Sequence, residues 1–194
     1  RVNGNVIADN QSGVGIYETG AGSYLKADTI KTSGASATYI GLYSDAAYTS
    51  LNGGTSEATV DGNDSSMSIQ EAGTAKALMN LTVTNGASAG MMLSGNSTIT
   101  GDLSAQGVAP GHEADADDFT RSLYENTAYK GTSTVTDGGH IYGTFSGAAS
   151  MSGDVNVSGT SSGGIPSTWN FNGSGTGSFT GNMNLSGGAF GELW

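Results

Sequence analysis

Three segments of the chain follow one residue pattern, and this internal repeat constrains the fold more than any other feature. They cover residues 97–107, 149–159 and 177–187. Each reads small, small, apolar, small, Gly, polar, apolar, polar, apolar, polar, Gly, with Ala105 as the smallest apolar residue. The segments are offset by 52 and 28 residues. A unit that recurs every 20–50 residues indicates a solenoid or an array.

The repeats consist of apolar residues that alternate with polar ones between Gly, Asn and Ser, as in residues 154–158. Period-two alternation predicts β-strands, here with Val155 and Val157 facing inward. Sharp turns favour Gly and Asn, and the chain has 33 glycines and two prolines. We therefore predict an ordered, all-β fold whose short parallel strands stack as a β-solenoid. At about 22 residues per coil it would have roughly nine coils and a length of about 43 Å.

The repeat pattern divides the predicted domain into three regions. We predict solenoid coils over residues 1–109, an acidic and partly helical excursion over 110–130, and further coils over 131–194. Residues 160–167 are rich in Gly and Ser and are predicted to form a loop. The three regions are expected to be one continuous domain. Because residues 187–194 show no polar cap, we expect the chain to be a piece of a longer protein.

The excursion combines a predicted short helix with a cluster of acids. Ala116, Phe119 and Leu123 are spaced as on one helix face, and the preceding acids would lie in the first turn, where the helix dipole favours them. The cluster is the candidate contact site, either with a ligand or with another copy of the chain: Glu113, Asp115, Asp117 and Asp118. Such oxygen ligands hold Ca²⁺ weakly, but their spacing matches neither an EF-hand loop nor a calcium-binding solenoid repeat. We therefore predict no metal.

Charge and composition exclude several classes of function. The formal net charge of −11 rests on 17 acidic and six basic residues, which removes the attraction that dominates nucleic-acid binding. The absence of cysteine excludes disulfides and thiolate metal sites. No window approaches the 18 continuous apolar residues of a membrane helix, so we expect no membrane insertion by this segment.

The residue patterns for catalysis are poorly developed. Asp137 and His140 are close in sequence, but no nucleophile elbow accompanies them, so we interpret them as turn residues beside a strand. Carbohydrate-cleaving β-helices need clustered carboxylates, whereas Asp102 and Asp154 of the repeats become Asn182 in the third copy. We therefore predict neither an enzyme nor a cofactor.

Trp169 and Phe171 are the remaining candidates for a binding surface. Two residues apart on a strand, they share one face. That face could present aromatic rings to a sugar, but we favour a place in the core.

Taken together, the coil pattern seen in residues 150–159, the lack of cysteine, the acidity and the Gly, Ser, Thr and Asn bias resemble the passenger domains of Gram-negative autotransporters, particularly the self-associating adhesins. The resemblance implies a right-handed parallel β-helix that is displayed on the bacterial cell surface. It also implies export across the outer membrane, a route that disulfides hinder. It covers most of the chain but carries over no individual functional residue.

We therefore expect a non-enzymatic, extracellular adhesin segment that acts in cell adhesion, aggregation, biofilm formation and virulence. Its partner would be a host-cell or extracellular-matrix ligand, or another copy of itself. Self-association of acidic rods should strengthen with added salt or at lower pH, because both reduce charge repulsion. Two alternatives remain open: a carbohydrate-binding or carbohydrate-processing β-helix, and a passive stalk for a binding head elsewhere in the precursor.

Overall fold

The regular structure of the chain consists of short β-strands. The computed structural model describes residues 2–3, 5–9, 11–18, 25–26, 29–33, 38–44, 56–61, 65–71, 76–85, 87–94, 96, 98–107, 119–123 and 127–193, and no helix occurs among them. The strands, numbered in chain order, are β1 (Val2–Asn3), β2 (Val6–Asp9), β3 (Gly13–Glu18), β4 (Leu25–Lys26), β5 (Thr29–Ser33), β6 (Thr38–Ser44), β7 (Ser56–Asp61), β8 (Ser65–Glu71), β9 (Lys76–Thr84), β10 (Ser88–Leu93), β11 (Thr98–Thr100), β12 (Leu103–Gln106), β13 (Phe119–Leu123), β14 (Ala128–Lys130), β15 (Ser133–Thr136), β16 (His140–Phe145), β17 (Ser150–Ser152), β18 (Val155–Ser158), β19 (Thr168–Gly173), β20 (Ser178–Thr180), β21 (Met183–Ser186) and β22 (Phe190–Leu193).

These strands stack in parallel as the faces of a β-solenoid. The first face contains the start of β9 with β11, β14, β17 and β20, and the second contains β2, β5, β7, the rest of β9, β12, β15, β18 and β21. The third face contains eight strands: β3, β6, β8, β10, β13, β16, β19 and β22. A separate pair, β1 and β4, is also parallel. The predicted all-β parallel solenoid is confirmed, and the last five coils have a strand on every face.

Over the last five coils, coil length varies because residues are inserted at a single corner. On the first face, Ile99 pairs with Tyr129, Tyr129 with Met151, and Met151 with Phe179. The corresponding separations are 30, 22 and 28 residues, and hydrogen bonds at the neighbouring corner repeat the separations of 30 and 28 residues. The extra residues follow the second-face strand, between the second and third faces. Coils longer than 22 residues explain why the third face has eight strands where about nine coils were expected.

The apolar positions of the first two repeats form buried columns, as predicted: Ile99, Met151, Leu103, Val155, Ala105 and Val157. In the third repeat, Phe179 and Met183 are half-buried and Leu185 is 45 % exposed. Trp169 and Phe171 are fully buried, their ring centroids are 4.7 Å apart, and Trp169 also packs against Phe179. These two aromatic side chains therefore belong to the core.

One further unit of the same kind, residues 127–137, lies between two of the recognised repeats. Tyr129 and Val135 take apolar positions, but Ser133 takes the position that Leu103 and Val155 occupy in the neighbouring coils. Ser133 is only 2 % exposed. A polar residue at a buried position interrupts the apolar pattern, so sequence comparison alone misses this coil.

A ladder of glycines forms the corner between the first and second faces, which we call the glycine corner: Gly101, Gly131, Gly153 and Gly181. A Cβ at Gly131 would lie 1.9 Å from the carbonyl oxygen of Gly101, and one at Gly153 would lie 2.0 Å from that of Gly131. No side chain fits between coils that approach this closely. The glycine in the repeat is therefore a steric requirement of the stacking.

The predicted helix is wrong for the residues that the structure describes. Phe119 and Leu123 belong to β13, where Phe119 pairs with Ala89 of β10 and with Ile141 of β16. A short isolated helix is marginally stable, whereas both edges of β13 pair with neighbouring strands. The strand is therefore favoured. Ala116 lies outside the described residues.

Candidate functional site

The predicted acidic contact site lies outside the described residues: Glu113, Asp115, Asp117 and Asp118. The described chain stops at Gly107, just after β12, and resumes at Phe119, the first residue of β13. The described residues that flank the segment, Gly107 and Phe119, therefore lie at the corner between the second and third faces. Its role in contact remains a prediction.

That corner, called here the loop corner, carries a tight turn in some coils and an insertion in others. In the turns after β9, β15 and β21, the backbone NH of the fourth residue donates to the carbonyl of the first, with N···O distances of 2.9–3.2 Å. Asp137 and Gly138 have φ of 53° and 83°, and Gly187 and Gly188 have 63° and 82°. Positive φ at both central positions requires Gly, Asn or Asp. The coils that contain β12 and β18 carry the insertions.

The insertion after β18 folds back on the turn of the preceding coil. Thr160 and Pro166 form an antiparallel bridge that closes the loop, so the predicted loop at 160–167 is confirmed. The fully buried Ser167 hydroxyl accepts a hydrogen bond from Gly138 N at 2.9 Å and donates one to Ser158 O at 2.7 Å. Gly138 is buried. The loop corner is therefore packed where the loop covers it.

Acidic and amide side chains at the glycine corner bond to the next coil. Asn80 Oδ1 accepts the backbone NH of Asp102 at 2.9 Å, and Asp102 Oδ1 accepts that of Thr132 at 2.9 Å. Asp154 Oδ1 accepts both the backbone NH and the side-chain amide of Asn182, each at 3.0 Å. These acids thus hold consecutive coils together through hydrogen bonds to a charged group, which are stronger than neutral ones.

The outward side of the second face is free of charged residues over its last four strands, a region we call the uncharged face. Its side chains are half-buried or exposed hydroxyls and amides: Ser104, Gln106, Thr134, Thr136, Asn156, Ser158, Asn184 and Ser186. Asn184 Nδ2 donates to Asn156 Oδ1 at 3.0 Å, which aligns the two amides along the rod. The neighbouring acids lie at the corners, so the negative charge of this half does not project from the face.

The N-terminal half of the same face is charged, and a groove of about 480 Å³ runs from it onto the coils of β12 and β15. Its lining includes Lys31 of β5, Asp61 of β7, Gln106 of β12 and Asp137 of the turn after β15. The groove therefore crosses five successive coils along the rod. With coils stacked about 4.8 Å apart, its length is roughly 19 Å.

Hydrogen bonds fix both carboxylates of this groove. Asp61 Oδ1 accepts from Thr84 Oγ1 at 2.9 Å and from Asn85 Nδ2 at 2.7 Å. Asp137 Oδ2 accepts from Gln106 Nε2 at 3.1 Å. Each of these bonds joins consecutive coils. The groove is therefore lined by groups whose positions are set before anything binds.

Three tyrosines lie together at the N-terminal end of the third face. Tyr17 and Tyr43 are partners in adjacent strands, and their rings stack with centroids 4.7 Å apart and planes 11° apart. The hydroxyls of Tyr39 and Tyr43 share a short hydrogen bond. That bond, together with burial and electrostatic repulsion from Tyr39, raises the pKa of Tyr43 above the ordinary 10.0.

The two residues considered for catalysis lie in the turn after β15 and directly after that turn. Asp137 lies in the turn after β15 and bonds to Gln106, and His140 is the first residue of β16. The His140 ring packs edge-on against Tyr142, with centroids 5.7 Å apart and planes at 78°. Asp137 is therefore a turn residue beside the strand, as interpreted, whereas His140 belongs to the strand itself.

The groove has no recognisable pattern in the sequence. Asp61, Thr84 and Gln106 occupy the same position in three consecutive coils, but their chemical types differ, so periodicity gives no indication of them. Only the register between coils brings them together.

The comparisons with known proteins identify no family. No family model matches the chain, and we found no significant match among curated proteins or solved structures. Among the described residues, no group of three or more His, Cys, Asp or Glu side chains could hold a metal ion. A helix long and apolar enough to span a bilayer is likewise absent from the described part.

Proposed function

We propose that the chain is a non-enzymatic segment of an extracellular bacterial adhesin that associates side by side with other copies of itself. The observation that carries this proposal is the uncharged face. Two rods of net charge −11 repel each other, but acids held at the corners leave a surface of hydroxyls and amides between them.

The contact would be built from many weak interactions. The uncharged face extends over four coils, and its Ser, Thr, Asn and Gln side chains both donate and accept hydrogen bonds. Each exposed contact is weak, but contacts repeated along a rigid rod add together. The remaining repulsion between rods is screened by salt. Association should therefore strengthen as ionic strength rises, and a host-surface ligand with hydroxyl and amide groups would fit the same face.

Analytical ultracentrifugation of a charged-face variant tests this proposal. The substitutions Thr134→Glu and Asn156→Glu place acids in the centre of the uncharged face. We expect this variant to remain monomeric at concentrations where the unchanged chain associates. The matched control, Ser150→Glu with Ser178→Glu, adds the same charge to the first face and should retain association. Loss of association in both variants, or in neither, would contradict the proposed contact.

The acidic segment is tested separately. Replacing Asp115, Asp117 and Asp118 with Asn lowers the negative charge without touching the uncharged face. If these acids form the contact, association is lost. If the uncharged face forms it, association strengthens because repulsion falls. The direction of the change therefore distinguishes the two surfaces.

A further inference from the structure

The groove on the second face has the features of a binding site, and it shares only Gln106 with the uncharged face. It follows the rod axis for roughly 19 Å and is lined mainly by polar side chains. Lys31 lies at one end, and Gln106 and Asp137 lie towards the other. An extended polymer laid along the rod would meet a new set of side chains at every coil.

The polar groups of the groove define the chemistry of such a polymer. Within the described part of the chain, the bonds at Asp61 and Asp137 engage one oxygen of each carboxylate, which leaves the second oxygen to accept from a ligand. Lys31 and the amide of Gln106 supply hydrogen-bond donors, and the Thr59 hydroxyl can either donate or accept a hydrogen bond. A ligand that both donates and accepts at short intervals satisfies all of these groups.

The charges in and around the groove narrow the class of polymer further. A polyanion would face two carboxylates in the groove and a chain of net charge −11. The cationic groups of a polycation only donate hydrogen bonds, so they would offer no acceptor to Lys31 or to the amide of Gln106. An apolar segment would leave the carboxylates and amides without partners, which is costly. Neutral sugars carry hydroxyls that both donate and accept, and the length of one sugar residue in a linear chain is close to the coil spacing.

We propose that this groove binds an extended segment of a linear, neutral glycan, with successive sugar residues placed on successive coils. The carboxylates of Asp61 and Asp137 accept from sugar hydroxyls, and Lys31 and Gln106 donate to them. Of the uncharged face, only Gln106 lines the groove, so a rod can hold a glycan and present the rest of that face to a second rod.

Calorimetry with linear neutral oligosaccharides of glucose, mannose and N-acetylglucosamine, from disaccharides to hexasaccharides, tests the proposal. We expect the affinity for at least one series to rise with length until the oligosaccharide spans the groove. The double variant Lys31→Ala, Gln106→Ala removes two exposed donors and should weaken binding on the order of tenfold. The control Asn156→Ala, Asn184→Ala lies on the same face outside the groove and should bind as the unchanged chain does.

Three outcomes would overturn the proposal. They are binding to none of the neutral series, binding that the Lys31→Ala, Gln106→Ala variant leaves unchanged, and binding to a sulfated glycan in preference to its neutral counterpart. Thermal unfolding of each variant verifies that it is folded. The self-association variant Thr134→Glu, Asn156→Glu should still bind the oligosaccharide. Failure of glycan binding and failure of self-association are therefore separable.

Discussion

The glycine corner offers the sharpest test of how the coils stack, through the substitution Gly131→Ala. The added Cβ would lie 1.9 Å from the Gly101 carbonyl oxygen and 3.2 Å from Asp102 N, whereas carbon and oxygen atoms normally approach no closer than about 3.3 Å. Both contacts are backbone atoms, so no side-chain rotation relieves them. Gly131 N also donates to Ser152 O at 2.9 Å, which ties the residue to the following coil.

The expected loss of stability follows from this geometry. Overpacking of a filled interior costs about 1–3 kcal/mol, and a backbone collision held from both sides belongs at the upper end, about 3 kcal/mol. In a domain of this size each kcal/mol lowers Tm by roughly 2–4 °C, so Tm should fall by about 6–12 °C. Differential scanning calorimetry measures the change.

Two other glycines serve as controls because they separate collision from conformational strain. Nothing lies within 4 Å of a Cβ at Gly107, whose φ is +73°, so Gly107→Ala meets only the left-handed backbone cost of about 1–2 kcal/mol. Gly13 has open space and no left-handed φ, so Gly13→Ala should be neutral or slightly stabilising. If Gly131→Ala costs no more than Gly107→Ala, the close stacking described here is wrong.

Three further predictions concern other parts of the structure. Because the pKa of Tyr43 is raised, the protonated Tyr43 hydroxyl contributes fully to stability below pH 10, and this contribution is lost as pH rises through the raised pKa. Tyr39→Phe should therefore make the fall of Tm at alkaline pH shallower. A Cβ at Gly143 would lie 2.0 Å from the Phe171 ring, so Gly143→Ala should cost about 1–3 kcal/mol in a denaturant titration. Ser167→Ala leaves a buried backbone NH without its acceptor, and the same titration should show a loss of about 1–3 kcal/mol.

Each of these predictions has a result that contradicts it. For Tyr39→Phe, the contradicting result is an alkaline unfolding profile that matches the unchanged chain. For Gly143→Ala, it is an unaltered unfolding midpoint, and Gly13→Ala provides the comparison at an open position. For Ser167→Ala, it is unchanged stability together with unchanged hydrogen exchange at the buried amide of the neighbouring turn.

Much of the fold could be predicted because the positions in the repeat correspond directly to the corners and strands of each coil. Glycine at residue 101 and again at 153 marks a corner, and the alternating apolar residues that follow each of them mark an inward-facing strand. The coil at 127–137 escaped detection because a buried serine, Ser133, stands at an apolar position. A local pattern carries no information about the strands on either side, which place that serine inside.

The conformation of residues 119–123 and the position of the groove could not be predicted from local sequence patterns. Residues 119 and 123 are spaced in a way that suits one face of a helix and equally one side of a strand. Pairing with β10 and β16 decides between these structures. The groove likewise depends on the register that aligns Asp61 with Thr84, and Thr84 with Gln106. Both features depend on pairing between residues that lie more than twenty positions apart in the sequence. The periodicity of a short segment does not reveal this pairing.

Disulfide trapping tests the in-register parallel stacking most directly, because the chain contains no cysteine of its own. Thr134 and Asn156 are partners in adjacent coils, so their Cα atoms lie about 4.8 Å apart, within the range that a disulfide spans. Ser158 is two residues out of register with Thr134, at roughly 8 Å, beyond that range. Under mild oxidation of dilute protein, we predict an intramolecular disulfide in Thr134→Cys, Asn156→Cys and little in Thr134→Cys, Ser158→Cys. Equal yields in the two variants, or a higher yield in the second, would contradict the stacked solenoid.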